Sequence, residues 1–184
     1  MNLETQPSGD QSDQALIARW RAGDTRAATE LVRRHADSLA RFATSAGERE
    51  EIEELVQDTF VRAFNSIDSF RGDSSLRTWL FTIERRLILD RRRAEKRSKS
   101  WVSIEDVDAA TEFDALDGMV AQETATRVRH AVGGLSPMQR DVFTMRVENG
   151  LSYREIAVIL GTTEGAARVH YHNAMRAVKE QLND

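Results

Sequence analysis

The sequence predicts an all-α protein with two small helical domains joined by an acidic linker, the C-terminal domain containing a helix-turn-helix. Apolar residues recur three and four positions apart along most of the chain, which is the spacing of one face of an amphipathic helix. Only two prolines interrupt 184 residues, and no part of the chain alternates like strands separated by turns. Between two such helical regions the periodicity weakens and acidic residues accumulate. These three observations together predict the fold class.

Four helices are predicted in the N-terminal domain, residues 14–99, after a disordered tail over residues 1–13. The dipeptide Gly23-Asp24 predicts a break between the first two helices. Apolar spacing predicts a third helix over about residues 50–67. The pair Ser74-Ser75 supplies a good N-cap for the fourth helix. The predicted apolar face of that fourth helix consists of Leu76, Leu80, Ile83 and Leu87.

An acidic linker is predicted over residues 100–123, which contain seven acidic residues and no lysine or arginine. The C-terminal domain then occupies residues 124–184. Ser136 is suited to cap its first long helix, and a proline follows at the first helical position, where proline is favoured. Gly161 predicts the end of a short helix, and Thr163 caps the last one. The predicted inward face of the last helix consists of Ala167, Tyr171, Ala174, Val178 and Leu182.

One segment concentrates positive charge although the chain has a formal net charge of −4. Residues 77–99 contain nine basic residues and three acidic ones. Lysine and arginine at this density replace counterions on nucleic-acid phosphates, so the segment favours contact with DNA.

The last two helices form a helix, short turn, helix unit of the kind whose second helix can enter a major groove. The side of the second helix that does not pack inward carries side chains suited to contact DNA phosphates and base edges. From spacing alone, DNA binding and a merely solvated face are equally supported. The residues of that face are Arg168, Val169, His170, His172, Asn173 and Arg176.

Several classes of function are excluded or disfavoured by composition. The chain has no cysteine, which excludes disulfides and thiolate metal sites. His170 and His172 lie two positions apart, hence on different helical faces, so no metal pair is expected. No carboxylate cluster, glycine-rich phosphate loop or nucleophile motif indicates an enzyme, a catalytic residue or a cofactor. Without a signal peptide or a long apolar run, we expect a cytoplasmic chain that is not inserted in a membrane.

Three stretches resemble the extracytoplasmic-function (ECF) sigma factors, the small two-domain initiation subunits of bacterial RNA polymerase. They include "VQDTFVRAF", "FRGDSSLRTWL" and "LSYREIAVILGTTEG", in the family's order and at its separation. The resemblance implies a promoter-specificity factor and not an enzyme. Such a factor binds core RNA polymerase, recognises the −10 and −35 elements of promoter DNA and helps to open the duplex. The resemblance also implies an anti-sigma partner.

The resemblance implies a role for each of three residue sets. The polymerase-binding set is Glu54, Gln57, Asp58 and Arg62. The −10 element set is Phe70, Arg71, Gly72, Asp73, Ser74, Ser75, Leu76, Arg77, Trp79, Arg85, Arg86, Arg91, Arg92 and Arg93. The −35 element set is Arg146, Arg168, Val169, His170, His172, Asn173 and Arg176.

The sequence leaves alternatives open at several places. Trp79 borders the apolar face of its helix, so it belongs either to the core or to the DNA surface. The linker is either a plain spacer or an acidic strand that mimics RNA in the polymerase. Arg86 stands where the family usually has asparagine, and "RVHYHNAM" lacks basic residues common in its recognition helix, which leaves the promoter sequence undetermined. The rival function is a helix-turn-helix regulator that acts without forming a polymerase holoenzyme.

Overall fold

The computed structural model describes residues 12–99, 127–128 and 130–183, and within these residues it contains helices and no strand. The predicted all-α class is therefore confirmed. The predicted linker and residues 1–11 of the predicted tail lie outside the described residues. The helices are α1 (Asp13–Arg21), α2 (Thr25–Ser45), α3 (Ile52–Asn65), a 3₁₀ turn (Ile67–Ser69), α4 (Leu76–Lys99), α5 (Pro137–Val147), α6 (Tyr153–Leu160) and α7 (Glu164–Asn183).

Local sequence explains where the C-terminal helices begin and end. At the start of α5, the side chain of Ser136 accepts a hydrogen bond from the backbone N–H of Gln139, and the side chain of Gln139 accepts one from the backbone N–H of Ser136. This capping box satisfies two backbone donors that have no partner within the helix. Ser152 and Glu155 repeat this capping box at the start of α6. Gly161 closes α6 with a φ of 66°, a left-handed conformation that glycine adopts without strain. The predicted ends of these helices are confirmed.

The third helix is shorter than predicted. It begins at Ile52, because Glu51 adopts a φ of 54° and cannot belong to the helix. Its last residue is Asn65, after which the chain tightens into the 3₁₀ turn. The fourth helix begins where predicted, with Ser75 Oγ accepting a hydrogen bond from the backbone N–H of Thr78 at 3.1 Å.

Aromatic contacts join the helices of the N-terminal domain. The rings of Phe42 in α2 and Phe81 in α4 stack with centroids 4.5 Å apart. Trp20 of α1 meets Phe64 of α3 at 5.1 Å. Such pairs contribute about 0.5–1.5 kcal/mol beyond the area that they bury. The residues around them that are almost completely buried are Leu16, Leu31, Leu39, Leu55, Leu80 and Ile88.

The buried core of the N-terminal domain continues into the C-terminal helices. One apolar cluster contains Leu80 and Phe81 of α4 together with residues of α5, α6, α7 and the turn between α5 and α6. Helix α6 packs along α4, and α5 contacts α2. The C-terminal members of this shared cluster are Val142, Met145, Leu151, Ile156, Ile159 and Ala167.

A second, smaller cluster holds α7 against α5. Ala174 and Val178 of α7 are buried there with Phe143 of α5. Ala167, the first residue of the predicted inward face, is fully buried, and Tyr171 and Leu182 are partly buried against the clusters. The predicted inward face of α7 is thus confirmed, and its opposite face is left to solvent.

Candidate functional site

The outer face of α7 carries the predicted −35 residues. Thr163 Oγ1 accepts a hydrogen bond from the N–H of Ala166 at 3.1 Å and so fixes the start of the helix. Val169 is 58% exposed, so its side chain is accessible to a partner. The other exposed members are Arg168, His172 and Arg176, whereas His170 and Asn173 are half-buried.

Two arginines flank the ring of Tyr153 at the start of α6. The guanidinium carbon of Arg146 lies 5.0 Å from the ring centroid, and that of Arg168 lies 5.3 Å away. Arg146 also donates to the carbonyl oxygen of Leu151 at 2.8 Å, and Arg168 donates to Glu164 at 2.9 Å. Arg146 therefore fixes the turn between α5 and α6, while Arg168 is held at the N-terminal end of the outer face of α7.

The predicted −10 residues of the loop before α4 adjoin an aromatic pair. The rings of Phe70 and Trp79 meet at 5.2 Å with an interplanar angle of 48°. Both side chains are half-buried, so Trp79 both packs on the core and borders the loop. Leu76 is 5% exposed and belongs to the core. Gly72 has a φ of 80°, which disfavours any other residue there. The exposed loop residues are Arg71, Gly72, Asp73 and Ser75, and Ser74 is half-buried.

The three consecutive arginines at the centre of the basic segment differ in their surroundings. Arg91 of α4 faces α3, and its guanidinium lies within 3.6–3.7 Å of carboxylate oxygens of Glu51, Glu54 and Asp58. The next two arginines have different surroundings. Arg92 donates to the carbonyl oxygen of Ala46 and pairs with Glu48 at 3.0 Å. Arg93 has a side chain that is 72% exposed, and Arg86 is exposed as well.

The outer face of α3 carries the predicted polymerase-binding residues. Glu54, Gln57 and Arg62 are exposed, and the side chain of Asp58 is about half exposed. Val61, which is 52% exposed, lies among them. Because Arg91 reaches Glu54 and Asp58, this face adjoins the basic surface of α4.

Two predicted −10 residues contact the C-terminal domain in this structure. Arg77 Nη2 donates to the carbonyl oxygen of Asn149 at 2.8 Å. Arg85 Nη2 donates to Asp141 Oδ2 of α5 at 3.1 Å. Between them, Thr78 Oγ1 donates to Glu155 Oε1 of α6 at 3.1 Å. Sequence reasoning missed Asp141, Asn149 and Glu155, because a helix cap or a loop polar residue gives no sign of a distant partner.

Glu155 has an environment that suits a carboxylate. Burial by itself would raise the pKa of Glu155. Hydrogen bonds from Ser152 and Thr78, together with the charge of Arg77, hold that pKa below its ordinary value. Glu155 is therefore a charged group at the junction of α4 and α6.

Glu84 of α4 is a further carboxylate that sequence reasoning missed. It is fully buried, and neither carboxylate oxygen has a hydrogen-bond partner among the described residues. Burial raises the pKa of Glu84 to about 9. A signal exists in the sequence, because Glu84 lies four residues after Leu80 and four before Ile88, on the apolar side of the helix.

Two other features are possible for a chain of this size, and neither occurs within its described part. No cluster of histidine and acidic side chains there is suited to hold a metal ion. None of the described helices combines the length and apolarity required to cross a membrane.

Comparison with known proteins identifies both halves of the chain. The family model for Sigma-70 region 2 matches residues 31–98, and that for Sigma-70 region 4 matches residues 125–178. The ECF RNA polymerase sigma-E factor of Haemophilus influenzae is 29% identical over 180 residues, covering 93% of this chain and 95% of that protein. The sigma-E factor of Escherichia coli K12 is 27% identical, covering 93% and 94%.

Solved structures resemble the fold over most of its length. CnrH, determined in complex with the cytosolic domain of CnrY, has a TM-score of 0.67 at 29% identity, covering 94% of this chain and 98% of that chain. The sigma factor RpoE from Bartonella quintana, in complex with the anti-sigma factor NepR, has a TM-score of 0.65 at 28% identity, covering 84% and 96%. With both sigma-70 regions matched, the chain belongs to the sigma-70 family as an ECF sigma factor that directs promoter-specific transcription initiation.

Proposed function

We propose that this sigma factor uses three surfaces, two for promoter DNA and one for core RNA polymerase. The loop before α4 and the basic side of α4 bind the −10 element and help to open the duplex. The outer face of α7 binds the −35 element, and the outer face of α3 binds the polymerase. The observation that carries this assignment is the exposed polar face of α7, presented by a capped helix-turn-helix within the matched region 4.

The −10 surface has the chemistry needed to hold a strand that leaves the duplex. A base stacked on an aromatic side chain gains about 1–3 kcal/mol, and Phe70 with Trp79 supplies such a wall beside an exposed loop. Arg86 and Arg93 are exposed on the same helix and would contact phosphates. Together these groups would stabilise the open form at the expense of the closed duplex.

The −35 surface combines donors with one apolar contact. Arg168 can pair with a guanine, and Asn173 can pair with an adenine. Val169 can contact a thymine methyl group. His172 and Arg176 are exposed farther along the helix and would contact the DNA backbone.

The docking surface on α3 has an apolar centre and a charged rim. Val61 is exposed among Glu54, Gln57, Asp58 and Arg62, an arrangement suited to a protein partner. We also propose an anti-sigma protein as a second partner, because RpoE was solved in complex with the anti-sigma factor NepR. The family is not an enzyme family, and we assign no catalytic residue or cofactor. We place the protein in the cytoplasm with the polymerase.

Transcription with purified components tests this proposal. Core polymerase is incubated with fragmented genomic DNA, with and without the pure chain, and the 5′ ends of the transcripts are sequenced. We expect the chain to produce new start sites that share two upstream motifs at a fixed separation. Transcripts identical to those of core polymerase alone would reject the function. Specific DNA binding by the chain alone would then favour the helix-turn-helix regulator.

A further inference from the structure

The side chain of Arg168 has two partners at the start of α7, although it is 55% exposed. Its guanidinium carbon lies 5.3 Å from the centroid of the Tyr153 ring. Its Nη2 also donates to Glu164 Oε1 at 2.9 Å. A long side chain on a helix surface gives up rotamer freedom when it is held by a partner. Two partners, one on α6 and one on α7, therefore define where this guanidinium lies.

The ring of Tyr153 is itself held in place. Tyr153 is half-buried at the first position of α6, directly after the capping residue Ser152. Its ring meets the ring of Tyr171 at 5.8 Å, with an interplanar angle of 62°. The ring of Tyr171 in turn stacks on that of Phe143 at 6.4 Å. A row of aromatic rings from α5, α7 and α6 thus supports the surface against which Arg168 rests.

A second guanidinium lies against the same ring. The guanidinium carbon of Arg146 is 5.0 Å from the Tyr153 centroid, and Arg146 donates to the Leu151 carbonyl oxygen at 2.8 Å. A cation within about 6 Å of a ring centroid is attracted by the electrons of the ring face. Tyr153 therefore joins an arginine of the helix before it to an arginine of the helix after it.

Arg168 keeps enough donors to read a base from this position. A guanidinium has five N–H donors in one plane, and the bond to Glu164 is made by Nη2. Pairing with guanine O6 and N7 requires two parallel donors. More than two remain, so Arg168 can contact a guanine while Tyr153 and Glu164 still hold it.

Glu164 also restricts what Arg168 can contact. A mobile arginine at this place would reach phosphates as easily as base edges, and a phosphate contact carries no sequence information. The carboxylate of Glu164 repels phosphates and binds the guanidinium at the first residue of α7. It therefore lowers affinity for any sequence and favours the one in which Arg168 meets its base, which is how specificity is gained at the expense of affinity.

We propose that Tyr153 and Glu164 are positioning residues for recognition of the −35 element, an inference that rests on the proposed function. Neither residue belongs to the −35 set that the sequence implies. They hold Arg168 in the orientation that reads one base pair, and they need not touch that base themselves. Discrimination at this base pair therefore depends on three residues and not on Arg168 alone.

Variants of Tyr153 test the aromatic support. Holoenzyme binding is measured by competition between promoters that carry each of the four base pairs at the position that Arg168→Ala identifies. Tyr153→Leu should lower the discrimination there about threefold, the size of one exposed cation–π contact. Tyr153→Phe keeps the ring and should keep the discrimination. Preferences at other base pairs of the −35 element should not change in either variant.

A purely structural role for Tyr153 predicts a different pattern. Loss of fold would weaken binding to every promoter and relax no single position, and thermal melting of each variant measures that loss directly. Unchanged discrimination at the Arg168 position in Tyr153→Leu, or equal relaxation at all positions, would overturn the role of Tyr153.

A variant of Glu164 tests the second contact without touching the core, because Glu164 is exposed. Glu164→Ala should lower discrimination at the same base pair about twofold, as expected for an exposed ion pair. It should at the same time raise affinity for promoters with the wrong base there, because a charge that repels phosphates is gone. Glu180→Ala, at an exposed site on α7, makes the same change in net charge and should keep the discrimination. Equal discrimination in the two variants would overturn the role of Glu164.

The same series separates this inference from the proposed function. Tyr153→Leu should have no further effect at this base pair when Arg168 is already alanine, because the two residues act as one unit. If Arg168→Ala relaxes one base pair while Tyr153→Leu and Glu164→Ala do not, only the positioning role is rejected. If Arg168→Ala keeps the wild-type preference, the positioning role and the reading of the −35 element by Arg168 are both rejected.

Discussion

The guanidinium of Arg91 lies 3.6 Å from a carboxylate oxygen of Asp58. The pair joins a predicted −10 residue of α4 to a predicted polymerase-binding residue of α3. Binding of polymerase to α3 would therefore alter the charge that α4 presents to DNA, and binding of DNA to α4 would alter the charge of α3. Through this ion pair, polymerase docking and DNA contact can affect each other.

The first prediction concerns docking on the polymerase. Asp58→Arg should weaken binding of core polymerase at least about tenfold, because it reverses a charge on the outer face of α3 and repels Arg91. Asp37→Arg, at an exposed position of α2, is the matched control and should bind normally. Binding is measured by fluorescence anisotropy, and circular dichroism verifies that both variants are helical. Equal affinities for Asp58→Arg and wild type would remove α3 from the docking surface.

The second prediction separates the neighbouring arginines. Arg93→Ala should lower the salt slope of promoter binding by about one, because an exposed arginine loses one phosphate contact. Arg92→Ala should instead lower the free energy of unfolding by about 1–2 kcal/mol, because Glu48 and the Ala46 carbonyl lose their partner. Holoenzyme binding at several salt concentrations and urea unfolding measure the two effects. An unchanged slope for Arg93→Ala would identify that arginine as merely solvated.

The third prediction concerns the pH dependence of stability. The pKa of Glu84 is about 9 in the folded chain and near its ordinary 4.5 when unfolded. The contribution of Glu84 to the free energy of unfolding should therefore be most favourable below pH 4.5, and it should become less favourable as the pH rises towards 9. The loss at pH 7 is about 3 kcal/mol at most.

Glu84→Gln removes this titration and keeps the shape of the side chain. We expect chemical denaturation to show that the variant loses less stability than wild type between pH 5 and 9. Some pH dependence should remain, because burial also raises the pKa of Glu148. Glu180→Gln, at an exposed site, serves as the control. Identical pH profiles for Glu84→Gln and wild type would show that Glu84 is not buried as described.

The fourth prediction concerns promoter sequence. Arg168→Ala should relax the preference at one base pair of the −35 element by about 1–3 kcal/mol. Arg176→Ala should weaken binding to all −35 sequences alike, since a phosphate contact carries no sequence information. Selection of preferred −35 sequences from a random library with each holoenzyme distinguishes the two. If Arg168→Ala selects the wild-type sequence, α7 does not read DNA at this position.

Arg146 gives a related prediction about stability. Its contacts with the Leu151 carbonyl and the Tyr153 ring brace the start of α6. Arg146→Ala should therefore lower the melting temperature as well as DNA affinity. A variant with wild-type melting temperature and reduced affinity would instead assign Arg146 to phosphate contact alone.

The sequence predicted well those features that neighbouring residues determine. The capping boxes at Ser136 and Ser152 and the left-handed glycine at 161 are local, so the C-terminal helices were correctly placed. The end of α3 was less accurate, because apolar spacing continues through Ile67 although the chain tightens into a 3₁₀ turn.

Contacts between distant helices could not be predicted in the same way. Helical periodicity shows which side of α4 is buried, but not that Asp141 and Glu155 pack against it. The charge of Arg85 suggested DNA, and its partner in the structure is a carboxylate 56 residues away. One-dimensional patterns carry no information on which of several acidic residues an arginine will meet.

Footprinting on a promoter identified by the transcription assay is the most direct measurement of the central assignment. The DNA is probed with the chain alone, with core polymerase alone and with both. We expect protection of both promoter elements, and permanganate-reactive thymines near the −10 element, only when both proteins are present. Equal protection of the −35 element by the chain alone, with no opening of the duplex on adding polymerase, would contradict a sigma factor.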